Sequence, residues 1–297
     1  MRAVRVRSVR TASTFTVLSI GGSDPTGGAG IQGDLKTFEA HGAQGCAVVA
    51  ALTAQNSDGV QAVEAVSPEF LRAQLESLYA QVEPAAGKTG MLLDPAAVEV
   101  VAALLSRHPA PWVVDPVLAA SAGGTLARTG LLECLVRDLV PRARLVTPNL
   151  AEAAALLGRE VAPEEAAEAA RALCARWQGP AVLVKGGHGL GPRSTDWLAT
   201  PEGLWSLSLP RLDTPHGHGT GCALSASVAV RLARGTPLLE AVAQAKAYLH
   251  RALTAAGPLG RGRGPVHHAV PADTAGDADP RVDVRSVGPS HPSPRRT

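Results

Sequence analysis

Short apolar runs alternate with longer stretches of helical periodicity along most of the chain. "FTVLSIGG" (15–22), "GCAVVAALTA" (45–54), "WVVDPV" (112–117), "RLVTPN" (144–149) and "AVLVKGG" (181–187) each read as a buried strand that stops at a Gly, Asn or Pro turn. Between them, "PEFLRAQLESLYAQV" (68–82), "DPAAVEVVAALLSRH" (94–108) and "PEEAAEAARALCARW" (163–177) carry apolar residues at helical spacing. Pro68, Asp94 and Pro163 stand where helices start. Repeated β–α alternation predicts a mostly parallel sheet with helices on both faces. "STDWLATPEGLWSLSLPRL" (194–212) breaks the rhythm and predicts a hairpin turning at Pro201-Glu202-Gly203. No internal repeat and no linker divides this body, so one domain over residues 14–269 is expected.

The flanks lack such periodicity. Residues 1–13 carry four arginines and no acid, without the apolar stretch of a secretory signal, and read as a disordered Arg-rich extension. Residues 270–297 are rich in Pro, Ser, Asp and Gly and read as a disordered polar tail, unable to bury enough surface to offset its ordering entropy.

Composition sharpens the core and excludes some partners. Hydrophobic residues make up 45% of the chain but aromatics only 3%, so the core must be Ala, Val and Leu, which suits parallel strands under helices. With 28 basic and 26 acidic residues there is no global pull toward nucleic acid. No apolar run reaches the ~18 residues of a membrane helix. Cys46, Cys134, Cys174 and Cys222 are scattered, without a C-x-x-C pair, which predicts reduced thiols in a cytoplasmic protein.

Candidate chemistry gathers at the polar, glycine-rich strand ends, where open α/β sheets bind ligands. Gly28, Gly30 and Gly33 match the dinucleotide fingerprint literally, but the strand before them ends near Gly21 and no acid closes the next strand for a ribose. A substrate loop flanked by Ser23, Asp24 and Asp34 is the better reading. Downstream, Gly219, Thr220 and Gly221 open a helix of small residues, "CALSASVAVRLA", and consecutive N–H groups at a helix start hold anions. No Walker A sequence occurs. His216 and His218 form an H-x-H pair with no third ligand at a regular offset, so polar or packing roles are expected of them.

Together "GGSDPTGGAGIQGDLKTFEAHGAQGCAVVAALTAQNSDGV" (21–60), "KTGML" (88–92), "VTPNLAEAAALL" (146–157), "VLVKGGHG" (182–189), "HGHGTGCALSAS" (216–227) and "GPVHH" (264–268) resemble the hydroxymethylpyrimidine/phosphomethylpyrimidine kinases of thiamin biosynthesis, in the ribokinase-like superfamily. The resemblance covers nearly the whole body. It implies a three-layer α/β/α fold, ATP and Mg²⁺, a homodimer, and two successive phosphorylations of 4-amino-5-hydroxymethyl-2-methylpyrimidine. Gly219, Thr220 and Gly221 would then stabilise the charge of the transferring phosphoryl group. Cys222 would be the base, its thiol lowered from ~8.5 by the helix N-terminus, or else a wall against the pyrimidine.

The family pattern places Gly22, Asp34, Gln55 and Met91 at the pyrimidine. A carboxamide suits an aminopyrimidine edge, and a dipole-favoured surface acid is the other reading of Asp34. Asp115, Asn149 and Glu152 fall at the metal, and Lys185 and Lys246 at ATP; a solvated helix lysine is the other reading of Lys246. A pyridoxal-type kinase is the rival within the fold, weakened because such enzymes commonly carry Asp where this chain has Cys222. A non-catalytic pyrimidine-binding regulator is the rival from another class.

Overall fold

A computed structural model describes residues 15–56, 59–118, 128–187, 189, 191–273 and 280–288. The expected Arg-rich extension therefore lies outside the described residues.

The first half contains β1 (Thr16–Gly22), α1 (Gly30–Ala40), β2 (Gln44–Asn56), β3 (Gly59–Ala65), α2 (Pro68–Tyr79), β4 (Ala86–Thr89), α3 (Pro95–Leu105) and β5 (Trp112–Val114). There follow a short helix α4 (Leu131–Cys134), β6 (Leu145–Val146), α5 (Leu150–Leu157), α6 (Ala166–Trp177) and β7 (Ala181–Val184). The last part holds β8 (Arg193–Thr200), β9 (Gly203–Pro210), α7 (Thr220–Ala233), α8 (Leu238–Thr254) and β10 (Asp283–Val287). Local signals account for several starts: the Ser67 and Asp94 side chains cap α2 and α3, each followed by proline, which needs no N–H partner there.

The described strands form one sheet in the order β10-β9-β8-β7-β6-β5-β4-β1-β2-β3. From β2 through β1, β4, β5 and β6 to β7 the pairs are parallel, and both flanks are antiparallel. Alternate residues of each central strand serve opposite faces. Leu18 and Ile20 pack with α2 and α3, whereas Val17 packs with Phe38 of α1 and with α7 and α8. Val182 and Val184 of β7 meet α5 and α6. The result is the expected three-layer α/β/α arrangement. The chain leaves β1 for β2 on one side and returns to β4 on the other. This switch opens a crevice above the carboxyl ends of β1 and β4.

Three features depart from the sequence reading. Residues 59–65, given no element there, form β3, and β2 runs on to Asn56 to pair with it, so Gln55 sits in a hairpin rather than in a loop. Lys88 lies in a four-residue strand, β4, too short to show periodicity. The polar tail is not without structure: β10 pairs with β9 from Asp283↔Ser208 to Val287↔Leu204. An edge strand of this kind is held by backbone bonds and needs little apolar surface. No described helix is long and apolar enough to cross a membrane.

Candidate active site

Five parallel strands deliver their carboxyl ends to one cavity of about 770 Å³. Gly22 ends β1, Met91 follows β4, Asp115 follows β5, Asn149 follows β6 and Lys185 follows β7, and all line it. Asp34 from α1, Gln55 from β2, Lys246 from α8 and Gly219–Cys222 complete the wall with Glu152. The residues that the family pattern places at the pyrimidine, the metal and ATP thus line the same space as the Gly219–Cys222 turn.

One end of the cavity is mostly apolar. Met91, Val117, Val60 and Ile31 line it, and Met91 lies so close to Gly22 that a Cβ there would come within 2.3 Å of Met91 Cε. Gln55 presents its carboxamide to this end with no hydrogen-bond partner among the described residues. Asp34 is buried at 1% exposure, so the surface-acid reading does not hold. Ser19 Oγ donates to its Oδ2 at 2.6 Å, and Lys88 Nζ lies 3.0 and 2.8 Å from its two oxygens. Burial pushes the Asp34 carboxyl up, against the pull of Lys88. Burial works most strongly against the Lys88 ammonium, but Asp34, Cys222 and Asp115 together outweigh it and raise Lys88. Lys88 is the principal site residue that the sequence reading missed; the available signal was a lysine beside "TGML" in an otherwise apolar environment.

The opposite end is polar and charged. Lys185 Nζ donates to Asp115 Oδ1 at 2.8 Å and lies 3.9 Å from Glu152 Oε2, so two carboxylates share one ammonium. Despite burial, Lys185 and Lys88 keep Asp115 below its usual range. Burial pushes Glu152 up to about 7; Lys185 opposes this and Asp115 adds to it. Asn149 and Glu152 also cap α5 reciprocally, with Asn149 N–H donating to Glu152 Oε2 at 2.7 Å and Glu152 N–H to Asn149 Oδ1 at 2.9 Å. Lys246 is not a solvated helix lysine: it is 5% exposed and donates to Asp196 Oδ2 at 2.6 Å.

Between the two ends sits the glycine turn. Gly219 has φ +85, and a Cβ on it would stand 1.8 Å from the Gly28 carbonyl oxygen, so only glycine fits. Among the described residues the N–H groups of Gly221 and Cys222 have no acceptor, leaving two donors at the start of α7 aimed at an anion. Gly221 leaves room for Asp115 and Lys185, whose Oδ2 and Nζ lie 3.6 and 3.5 Å from where its Cβ would be. The expected lowering of the Cys222 thiol is overturned. Burial raises it, Asp34 and Asp115 add to the rise, and Lys88 and the Gly30 N–H only partly oppose it. The thiol's burial is the largest cause, and the helix N-terminus does not reverse it. His216 and His218 have the polar roles expected of them. His216 Nδ1 accepts from Gly264 N–H at 2.9 Å, and His218 Nε2 lies 2.7 Å from Asp24 Oδ2.

Known proteins resemble this chain over most of its length. The family model described as phosphomethylpyrimidine kinase matches residues 24–267. The hydroxymethylpyrimidine/phosphomethylpyrimidine kinase of Rhizobium meliloti is 48% identical over 258 residues, 86% of this chain and 97% of that protein. The thiamine biosynthesis bifunctional protein ThiED of Geobacter sulfurreducens is 41% identical over 263 residues, 88% of this chain and 54% of that protein. Among solved structures, the pyridoxal kinase of Staphylococcus aureus in complex with AMP-PCP and pyridoxal superposes with a TM-score of 0.83 at 29% identity, over 93% of this chain and 100% of that one.

Proposed function

The chain belongs to the phosphomethylpyrimidine kinase family, and on that premise we propose that it phosphorylates 4-amino-5-hydroxymethyl-2-methylpyrimidine and then its monophosphate, in thiamin biosynthesis. The observation that carries this reading is the meeting, in one cavity, of an apolar amide-bearing pocket, an anion turn and a cluster of lysines and carboxylates. Met91 forms the apolar wall for the ring. Gln55 and Asp34 receive its amino and ring-nitrogen edge, and Gly22 lets the ring lie close to β1.

The hydroxymethyl oxygen attacks the γ-phosphorus of ATP; its bond to phosphorus forms as the bond to the β–γ bridging oxygen breaks, and ADP leaves. The Gly221 and Cys222 N–H groups, with Gly219 and Thr220 shaping the turn, stabilise charge on the transferring group. Cys222 faces the attacking hydroxyl. A raised thiol is a poor acceptor early in the reaction, and a loose transition state asks for little early proton removal, so the thiol's contribution as a base is small. In the second round the phosphate of the monophosphate is the nucleophile and needs no base.

Lys185 and Lys246 line the nucleotide side, Lys246 held in place by Asp196. Asp115 and Glu152, with Asn149 beside them, fit a divalent cation held partly through water. These are hard oxygen donors clustered about one ammonium, and Glu152, raised to about 7, gains its charge when a cation arrives. Mg²⁺ there would screen the polyphosphate charge. The reading also carries a homodimer in the cytoplasm, for which the β2–β3 hairpin offers an exposed apolar residue in Leu52.

Mass-spectrometric product analysis with Mg-ATP and either the pyrimidine or pyridoxal tests the reading, with Cys222→Ala run in parallel. Sequential mono- and pyrophosphate from the pyrimidine is expected, with residual turnover in the variant. The likeness to a pyridoxal kinase favours a second reading, phosphorylation of pyridoxal, and product from pyridoxal alone would establish it instead.

A further inference from the structure

Asp24 and His218 take no part in the chemistry above, yet they form a dense polar cluster beside it. Asp24 is fully buried after β1. Its Oδ1 accepts from the N–H and Oγ1 of Thr26, both at 2.9 Å, and its Oδ2 from Ala29 N–H at 2.8 Å. His218 Nε2 lies 2.7 Å from the same Oδ2. Burial pushes the Asp24 carboxyl up, but the His218 and Thr26 donors outweigh it and hold it at about 2. An ionised carboxylate only accepts, so Nε2 of His218 carries the proton and the bond is charge-assisted.

That bond ties together two segments that share no secondary structure. Asp24 orders the loop into α1, which places the Gly28 carbonyl against Gly219 and the Gly30 N–H on the Cys222 sulfur. His218 stands two residues before Thr220, at the entrance to the anion turn, and lines the cavity. A third segment braces the junction, with Val266 N–H donating to His218 O at 3.0 Å and His268 Nε2 to Gly28 O at 2.9 Å. Among the described residues, only the Asp24–His218 bond links the two loops side chain to side chain.

We propose that His218 is a positioning residue for phosphoryl transfer: its bond to Asp24 sets the separation of the 24–30 loop from the anion turn, and so places Cys222 and the turn's N–H groups against the acceptor hydroxyl. The proposal rests on the kinase reading above. It makes no claim that His218 touches substrate.

His218→Ala removes the donor, whereas His218→Gln keeps an N–H near the Nε2 position. The two are compared with wild type by steady-state kinetics on both substrates, thermal melts, and peptide-resolved iodoacetamide labelling of Cys222 without turnover. His218→Ala is expected to lower kcat by ~10- to 100-fold, as for loss of a hydrogen bond to a charged group that positions reacting atoms, with either KM moving less than ~3-fold. His218→Gln should recover kcat to within ~5-fold of wild type, and Cys222 labelling should speed up in the Ala variant and return toward wild type in Gln. Unchanged kcat in Ala, equal impairment of Ala and Gln, or unchanged labelling would each overturn the proposal. Should wild type phosphorylate neither substrate, the kinase reading fails, while the labelling comparison still decides whether the clasp orders Cys222.

Discussion

Replacing Lys88 with Met leaves Asp34 buried with only Ser19 for a partner. Lys88 and Asp34 are each 1% exposed and meet at 2.8 Å, so water from the cavity is a poor substitute for the lost ammonium. Removing one member of such a pair costs ~3–5 kcal/mol, because an uncompensated charge remains in the interior. At ~2–4 °C per kcal/mol for a domain of this size, the melting temperature should fall by about 6–20 °C. Lys88→Met/Asp34→Leu should regain most of that loss, since apolar residues of similar volume replace buried ion pairs at little cost.

The deficit also has a sign in pH. Without Lys88, burial and the Asp115 charge raise Asp34 against the Ser19 hydroxyl only, so the protonated carboxyl is the form that fits the fold. Stability is then fully present below the unfolded carboxylate value, ordinarily 3.8, and is lost as pH rises through the folded one. The gap between Lys88→Met and wild type should therefore widen from pH 5 to pH 8 in calorimetric or circular-dichroism melts. A single variant melting within ~2 °C of wild type at pH 8, or a double variant no better than the single, would refute the reasoning.

Two further outcomes follow from the same structure. Glu152, raised to about 7, should make Mg²⁺ dependence pH-sensitive: affinity should rise from pH 6 to 8 as the carboxylate ionises, and Glu152→Gln should flatten that rise in a Mg²⁺ titration. Ending the chain at residue 280 removes β10 and bares the β9 edge, along with the Arg171 bond to the Gly288 carbonyl at 2.8 Å. A few degrees of melting temperature and concentration-dependent aggregation by light scattering are expected, and an unchanged melt with no aggregation would contradict the clamp.

Much of this was legible in the chain because an α/β sheet ties chemistry to strand ends. Once "WVVD", "VTPN" and "VLVK" are read as parallel strands, Asp115, Asn149 and Lys185 must lie on the same edge of the sheet, and the order β5-β6-β7 sets them side by side. Interactions that only the third dimension creates were not legible. Nothing in "AGKT" says that Lys88 reaches Asp34, 54 positions earlier, because a four-residue strand has no period and the partner lies on a helix. The Cys222 thiol was misjudged for a related reason. Sequence shows the helix start that would lower it, but the burial and the two carboxylates that raise it come from α1 and β5. β3 and β10 were hidden because edge strands are held by backbone bonds, which leave little trace in side-chain pattern.

The cavity's charges also follow a common plan. Asp34 with Lys88, Asp115 and Glu152 with Lys185, and Asp196 with Lys246 place buried or nearly buried ammonium groups beside carboxylates around a single space. Such pairs contribute little to stability compared with apolar residues of the same volume. On the proposed reading, the use of the Lys185 cluster lies in being ready to exchange partners. A polyphosphate that took its ammonium would release Asp115 and Glu152 together, and those two carboxylates would then suit an accompanying cation. The Asp34–Lys88 pair lies deeper, with water a poor substitute for either partner, and stays closed. If the proposed reading holds, one end of the cavity would change its pairing as the nucleotide arrives, while the other would keep a fixed face for the ring. That division matches a reaction in which the acceptor must be held still while charge moves across the anion turn.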